Sequence, residues 1–201
     1  MPESAKLVVA SSNPGKLREY RALAAGHAIQ LELFPGYESI PAFQESAATF
    51  SENAAGKALH YSRHSSLPVI ADDSGLVVPA LGGAPGPKSA RYAGAGASDA
   101  DRVKRLLEEL RGKSGDERRA RFVCVLALAQ AGRVIAVFSD FVEGVLLDAP
   151  RGSGGFGYDP LFLYEPLGKT FAEIPREEKN KISHRGKTFR KLLAFLEESD
   201  R

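Results

Sequence analysis

Two adjacent carboxylates, Asp72 and Asp73, follow the apolar run Leu67–Ala71 and lead into Ser74-Gly75. Carboxylates set against a buried strand are costly unless they are solvated, paired or bound to a metal. Their oxygens suit Mg²⁺, which takes one or two carboxylates and completes its shell with water and phosphate oxygens. Strand ends of open α/β sheets are also where ligands usually bind. Asp-Ser-Gly is equally good turn sequence, so a plain turn is the competing reading. A second segment, Ser11-Ser12-Asn13-Pro14-Gly15-Lys16, has the small residues that let backbone N–H groups and a helix start face an anion, with Lys16 in reach of a phosphate. It lacks the spacing of a P-loop or a dinucleotide fingerprint, and by itself fits an ordinary capped helix. A third, Gly152 to Pro160, packs four glycines into positions 152–157 around Phe156, with Tyr158 and Asp159 following. Either its rings stack on a base or they fold back into the core under a hairpin tip. The fourth, Lys179 to Lys187, is dense in positive charge; it suits a polyphosphate or reads as a solvated run with Ser183 capping a helix.

The elements that must position these groups follow from periodicity. Lys6–Ala10 reads as a buried strand, and Lys16–Ala25 as a helix with Leu17, Tyr20, Leu23 and Ala24 on one face. Residues 29–34 form a second strand, 49–64 a helix, and 67–71 a buried strand ending at Asp72. Gly82–Gly96 is a long ordered loop, and Ser98-x-x-Asp101 caps a helix over 102–110. Residues 120–129 and 133–138 are strands joined by Gln130-Ala131-Gly132, with a further strand over 141–147 and a short one over 161–163. Thr188–Glu198 is a terminal amphipathic helix burying Phe189, Leu192, Leu193 and Leu196. The hairpin turn at Gly132 predicts a mixed rather than purely parallel sheet in one α/β domain over residues 1–201, with a second lobe built on the 120–147 strands.

Bulk composition narrows the class. The 201 residues carry a net charge of +2, so no global field draws nucleic acid or a membrane surface. The single cysteine, Cys124, sits in an apolar run and reads as a small buried hydrophobe, since one thiol makes neither a disulfide framework nor a zinc site. No apolar stretch approaches the ~20 residues that span a bilayer, and the N-terminus has no signal-peptide pattern. A cytoplasmic protein is expected.

Taken in order, the segments resemble the inosine/xanthosine triphosphate pyrophosphatase family, the Ham1-like or RdgB-type enzymes. The resemblance rests on Ser11-Ser12-Asn13-x-x-Lys16-x-x-Glu19, Thr49-Phe50-x-Glu52-Asn53-Ala54-x-x-Lys57, and Ala71-Asp72-Asp73-Ser74-Gly75-Leu76 running on through Gly82-Gly83-Ala84-Pro85-Gly86 to Ser89-Ala90-Arg91-Tyr92-Ala93-Gly94. It is completed by Gly154-Gly155-Phe156-Gly157-Tyr158-Asp159-Pro160 and Ser183-His184-Arg185-Gly186. Ser11-Ser12 stands where Thr-Gly is commoner, and Pro79 where an acidic residue is common. The resemblance implies an elongated α/β fold, with a long mixed twisted sheet, flanking helices and two lobes about a central active-site groove. It implies hydrolysis of ITP, dITP and XTP, Mg²⁺ as cofactor, and a homodimer.

Residue by residue, the resemblance places the loop of Ser11, Ser12, Asn13, Pro14, Gly15 and Lys16 on the triphosphate, with Lys57 facing the phosphates. It makes Asp73 the general base and a metal ligand, Glu45 a second ligand and Ser74 a substrate contact. It sets Phe156, Gly157, Tyr158 and Asp159 around base and sugar, and Lys179, His184 and Arg185 as the last substrate contacts. A donor from His184, Arg185 or a backbone N–H toward the C6 oxygen would favour keto purines over adenine. Three other readings stay open on residues alone: a pyrophosphatase for modified pyrimidines in the Maf-like manner, a nucleotide sensor without catalysis, and an RNA-binding protein using the Lys179–Lys187 cluster.

Overall fold

The computed structural model describes residues 5–199. Among them, seven strands form one sheet: β1 (Ala5–Val9), β2 (Ile29–Leu33), β3 (Val69–Val77), β4 (Arg119–Gln130), β5 (Arg133–Leu146), β6 (Phe162–Tyr164) and β7 (Lys169–Thr170). Their order is β2-β1-β3-β4-β5-β6-β7. Strand β1 pairs in parallel with β2 and β3, whereas β5-β6 and β6-β7 are antiparallel, so the sheet is mixed as expected. The helices are α1 (Pro14–Ala24), α2 (Phe50–Ser62), α3 (Asp99–Glu109), α4 (Arg176–Ile182) and α5 (His184–Ser199).

Each early helix starts on a side-chain cap. Asn13 accepts from Gly15 N and Lys16 N, with Pro14 in the first turn of α1. Thr49 accepts from Glu52 N at the head of α2. Ser98 and Asp101 close the reciprocal capping box, and α3 begins at Asp99 rather than Arg102.

The chain divides into two compact units. One comprises residues up to Asp73, Cys124–Asp140 and the chain from Arg185 onward; the other comprises Ser74–Val123 and Phe141–His184. The first unit is built around Leu7, Val9, Tyr20, Ile70, Leu126, Leu128, Phe189, Leu192 and Leu193. The second is built around Leu76, Leu106, Leu110, Phe122, Leu146, Leu161, Phe162 and Phe171. Both units draw on β4 and β5, so these strands do not make a lobe of their own. Cys124 is buried, and desolvation pushes its thiol up to about 12, which leaves it a packing residue.

The largest difference from expectation lies in β3. The strand does not end at Asp72 but runs through Asp72-Asp73-Ser74-Gly75 to Val77, so this stretch is not a turn. Gly75 is there for close approach. A Cβ at this position would lie 2.4 Å from Ser89 Oγ and 2.6 Å from the Gly86 carbonyl. Ser89 Oγ accepts from Leu76 N at 2.9 Å and donates to Gly86 O at 2.7 Å, so the neighbour is held on both sides. Gly75→Ala is therefore expected to lower unfolding stability by about 1–3 kcal/mol, read as an earlier denaturation midpoint at unchanged slope.

Strand β5 is also continuous where two strands, over 133–138 and 141–147, are expected. The polar pair Ser139-Asp140 does not break it, because Lys191 donates to Ser139 O at 2.6 Å and pairs with Asp140 at 3.0 Å. The terminal helix starts at His184, four residues before the expected Thr188, and α4 and β7 are additional. No helix among the described residues is long and apolar enough to cross a membrane.

Candidate active site

In the first unit, β1 delivers the chain to Ser11, whose hydroxyl accepts from Asn13 N at 3.2 Å, and Asn13 caps α1. The cap puts Lys16 in the first turn. Its ammonium lies 2.9 Å from Asp72 Oδ2, and Asp72 is 1% exposed. Successive strand residues point to opposite faces, so Asp72 and Asp73 meet different partners. Asp72 faces Lys16 and the guanidinium of Arg185, 3.4 Å away. Arg185 also pairs with Glu19 of α1, and all three side chains are buried. Burial alone would raise the Asp72 carboxyl, but Lys16, Arg185 and Lys57 together hold it well below the usual carboxylate range.

Asp73 instead accepts a hydrogen bond from Asn53 Nδ2 of α2 at 2.9 Å. Burial pushes its carboxyl up to about 6; the Asn53 bond and Lys16 pull the other way, while Glu45 and Asp72 add to the rise. Asn53 also holds Ala47, accepting from its N–H at 3.0 Å and donating to its carbonyl at 3.3 Å. That ties the irregular segment carrying Glu45 to α2. Lys57, one turn further along α2, pairs with Glu45 at 2.7 Å. Desolvation opposes the Lys57 charge, yet Glu45, Asp72 and Asp73 raise its pKa on balance. Glu19 and Asn53 stand in the motifs that carry the resemblance but received no role there, because the partners of a neutral amide and a helix glutamate are set only by the fold.

The donors suit a hard divalent cation. Asp73 and Glu45 offer carboxylate oxygens, and their proximity raises the cost of holding both charges without one. Among the described residues, no three His, Cys, Asp or Glu side chains form a metal cage. A partial set of this kind fits Mg²⁺, which fills its remaining positions with water and substrate oxygens.

In the second unit, the glycine-rich segment folds over Asp159. The Asp159 Oδ2 atom accepts from Phe156 N at 2.9 Å and from the Lys179 ammonium at 2.6 Å. Gly155 has φ +73°, and a Cβ there would lie 2.0 Å from the same oxygen, so only glycine permits the wrap. The two aromatic rings separate. Tyr158 is buried and donates to Ser89 O at 2.9 Å, taking the core option. Phe156 stays half-buried, with the Lys179 ammonium 5.3 Å from its ring centroid.

The basic stretch from α4 into the start of α5 is not a solvated run. Lys179, Asn180, Ser183, His184 and Arg185 are all buried. His184 stacks on Phe122 with centroids 4.9 Å apart and planes at 12°. Ser74 is half-buried within β3, and Ser12 is exposed.

Fold and side chains together define an α/β protein that spends buried charge on two sites, the Asp72-Asp73 pair of β3 and the loop closed on Asp159. Residues 7–195 match the Ham1 family, and the chain belongs to it. It is 49% identical to a dITP/XTP pyrophosphatase of Geobacillus kaustophilus over 96% of this chain and 95% of that protein. It is 51% identical to a dITP/XTP pyrophosphatase of Thermus thermophilus over 94% and 90% of the two chains. Among solved structures, a HAM1 protein from Coxiella burnetii superposes with a TM-score of 0.86 at 40% identity, covering 96% of this chain and 99% of that one.

Proposed function

We propose that this chain hydrolyses non-standard purine nucleoside triphosphates, ITP, dITP and XTP, to the monophosphate and pyrophosphate, and so keeps them out of DNA and RNA. The observation that carries the reading is the group of buried Lys57, Asp72 and Asp73 with the partly exposed Lys16, in a chain about half identical to named dITP/XTP pyrophosphatases. Release of pyrophosphate gathers negative charge on the leaving β–γ unit, so the reaction needs electrostatic clamps more than covalent chemistry. Lys16 and Lys57 are those clamps, with Asn13, Ser11, Ser12 and the head of α1 lending N–H and hydroxyl groups to phosphate oxygens. Asp73, oriented by Asn53, takes the proton of the attacking water. Mg²⁺, held by Asp73 and Glu45, would neutralise phosphate oxygens and acidify a bound water.

The base and sugar fall to Phe156, Gly157, Asp159 and Lys179. The C6 oxygen that separates hypoxanthine and xanthine from adenine calls for a donor, and His184, Arg185 or a nearby backbone N–H would supply it. We place the protein in the cytoplasm, where the nucleotide pool lies. We take it to act as a homodimer, for which the outward Ile135 and Val137 of β5, 47% and 45% exposed, offer apolar surface.

A product assay tests the reading. With Mg²⁺ and ITP, IMP and pyrophosphate are expected, with ATP and GTP largely intact and turnover lost on chelation by EDTA. IDP with phosphate would move the cleavage point. Turnover of modified pyrimidine triphosphates alone would favour the Maf-like alternative, and tight ITP binding without turnover a sensor.

A further inference from the structure

We propose that Asp99 is a positioning residue that fixes the tip of the Gly155–Asp159 loop and thereby sets how strongly this chain prefers its base. The inference rests on the reading of that loop as the base and sugar contact. Asp99 opens α3, and its Oδ2 accepts from Gly157 N at 2.7 Å, across 58 residues of sequence. Its other oxygen pairs with Arg102, one turn along the helix. Arg102 is itself held, donating to Ala90 O at 2.9 Å and Ala97 O at 2.7 Å, so the carboxylate has little freedom.

Two consecutive N–H groups of the loop thus end on two different carboxylates. Phe156 N donates to Asp159, inside the loop, and Gly157 N to Asp99, outside it. The first bond shapes the loop and moves with it. The second anchors the peptide next to Phe156 to a capped helix. Without it, Gly157, at φ +64°, is free to rotate, and the Phe156 ring loses its fixed aim. An acidic residue in a first helical turn is ordinarily there for the helix dipole. That role needs the charge, whereas the Gly157 contact needs only an acceptor, and the two can be separated.

The experiment compares kcat/KM for ITP and ATP in Asp99→Ala, Asp99→Asn and Phe156→Ala. A ratio of two substrates on one preparation cancels any loss of folded protein, so a purely structural defect does not move it. Asp99→Ala is expected to lower the ITP-over-ATP preference roughly tenfold, mainly through KM for ITP, the effect of one hydrogen bond at a partly exposed site. Asp99→Asn keeps an acceptor for Gly157 N–H and is expected to stay within about threefold of the parent. A preference unchanged in Asp99→Ala, or an Asn variant that falls as far as the Ala variant, overturns the proposal. If Phe156→Ala shifts the preference and Asp99→Ala does not, the loop reading stands and this inference alone fails. If neither variant shifts it, the loop reading fails and takes the inference with it.

Discussion

Asp73→Asn is expected to cut turnover of ITP by about 10²–10⁴-fold while thermal stability stays at or above that of the parent. The substitution keeps the shape of the side chain and an oxygen for the Asn53 amide, which donates to Asp73 at 2.9 Å. It removes what an amide cannot replace in the proposed role, a carboxylate to take a proton and bind a cation. Stability should not suffer, because burial and the nearby Glu45 and Asp72 already work against the ionised form. One charge fewer in that crowd relieves repulsion. Steady-state kinetics at saturating Mg²⁺, paired with a melting curve, check both halves. Near-parent activity would falsify the role assigned to Asp73.

The second large effect concerns stability. Arg185→Leu is expected to destabilise the fold by about 3–5 kcal/mol, because it takes the cation out of a buried cluster and leaves the carboxylates behind. Arg185 is 2% exposed, Glu19 6% and Asp72 1%. Asp72 keeps Lys16 at 2.9 Å, which offsets part of the cost. For a chain of ordinary stability this is a large fraction of the total, and a melting temperature lower by roughly 10 °C or more is the readout. Arg185→Lys should fall between, since one ammonium cannot reach both carboxylates as the forked guanidinium does. A Leu variant melting with the parent would show that the cluster contributes little.

The parts of this chain legible from residue order are those set by neighbours in sequence. Ser98 three residues before Asp101 caps as read, and the 11–16 segment does start a capped helix, because a cap is decided within a few residues. The buried strands β1 and β4 announce themselves by continuous apolar runs. What stayed hidden depends on distant partners. Asp72-Asp73-Ser74-Gly75 has turn composition, and it is strand only because Lys16, Arg185 and Asn53 receive its carboxylates. Helix α4, Arg176-Glu177-Glu178-Lys179-Asn180-Lys181-Ile182, shows no apolar period; its buried side is Lys179 and Asn180, not a row of leucines. The same blindness hid the partner of Arg185, which is one more positive charge in a basic run until Glu19, 166 residues earlier, is beside it. The type of each site residue was readable at once. The partner that orients it was not.

That separation in sequence bears on how the protein is born. Glu19 and Asp72 lie 166 and 113 residues before Arg185, whose guanidinium sits between them in the first turn of α5. During synthesis, the acidic half of the cluster is complete long before its cation leaves the ribosome. Closing so long a loop is an entropic cost met only when α5 docks through Phe189, Leu192 and Leu193. Asp72 has Lys16 beside it from early in the chain, so it is Glu19 that meets its guanidinium last. A nascent chain that has not yet reached Arg185 holds Glu19 and Asp72 without the guanidinium that α5 brings to both.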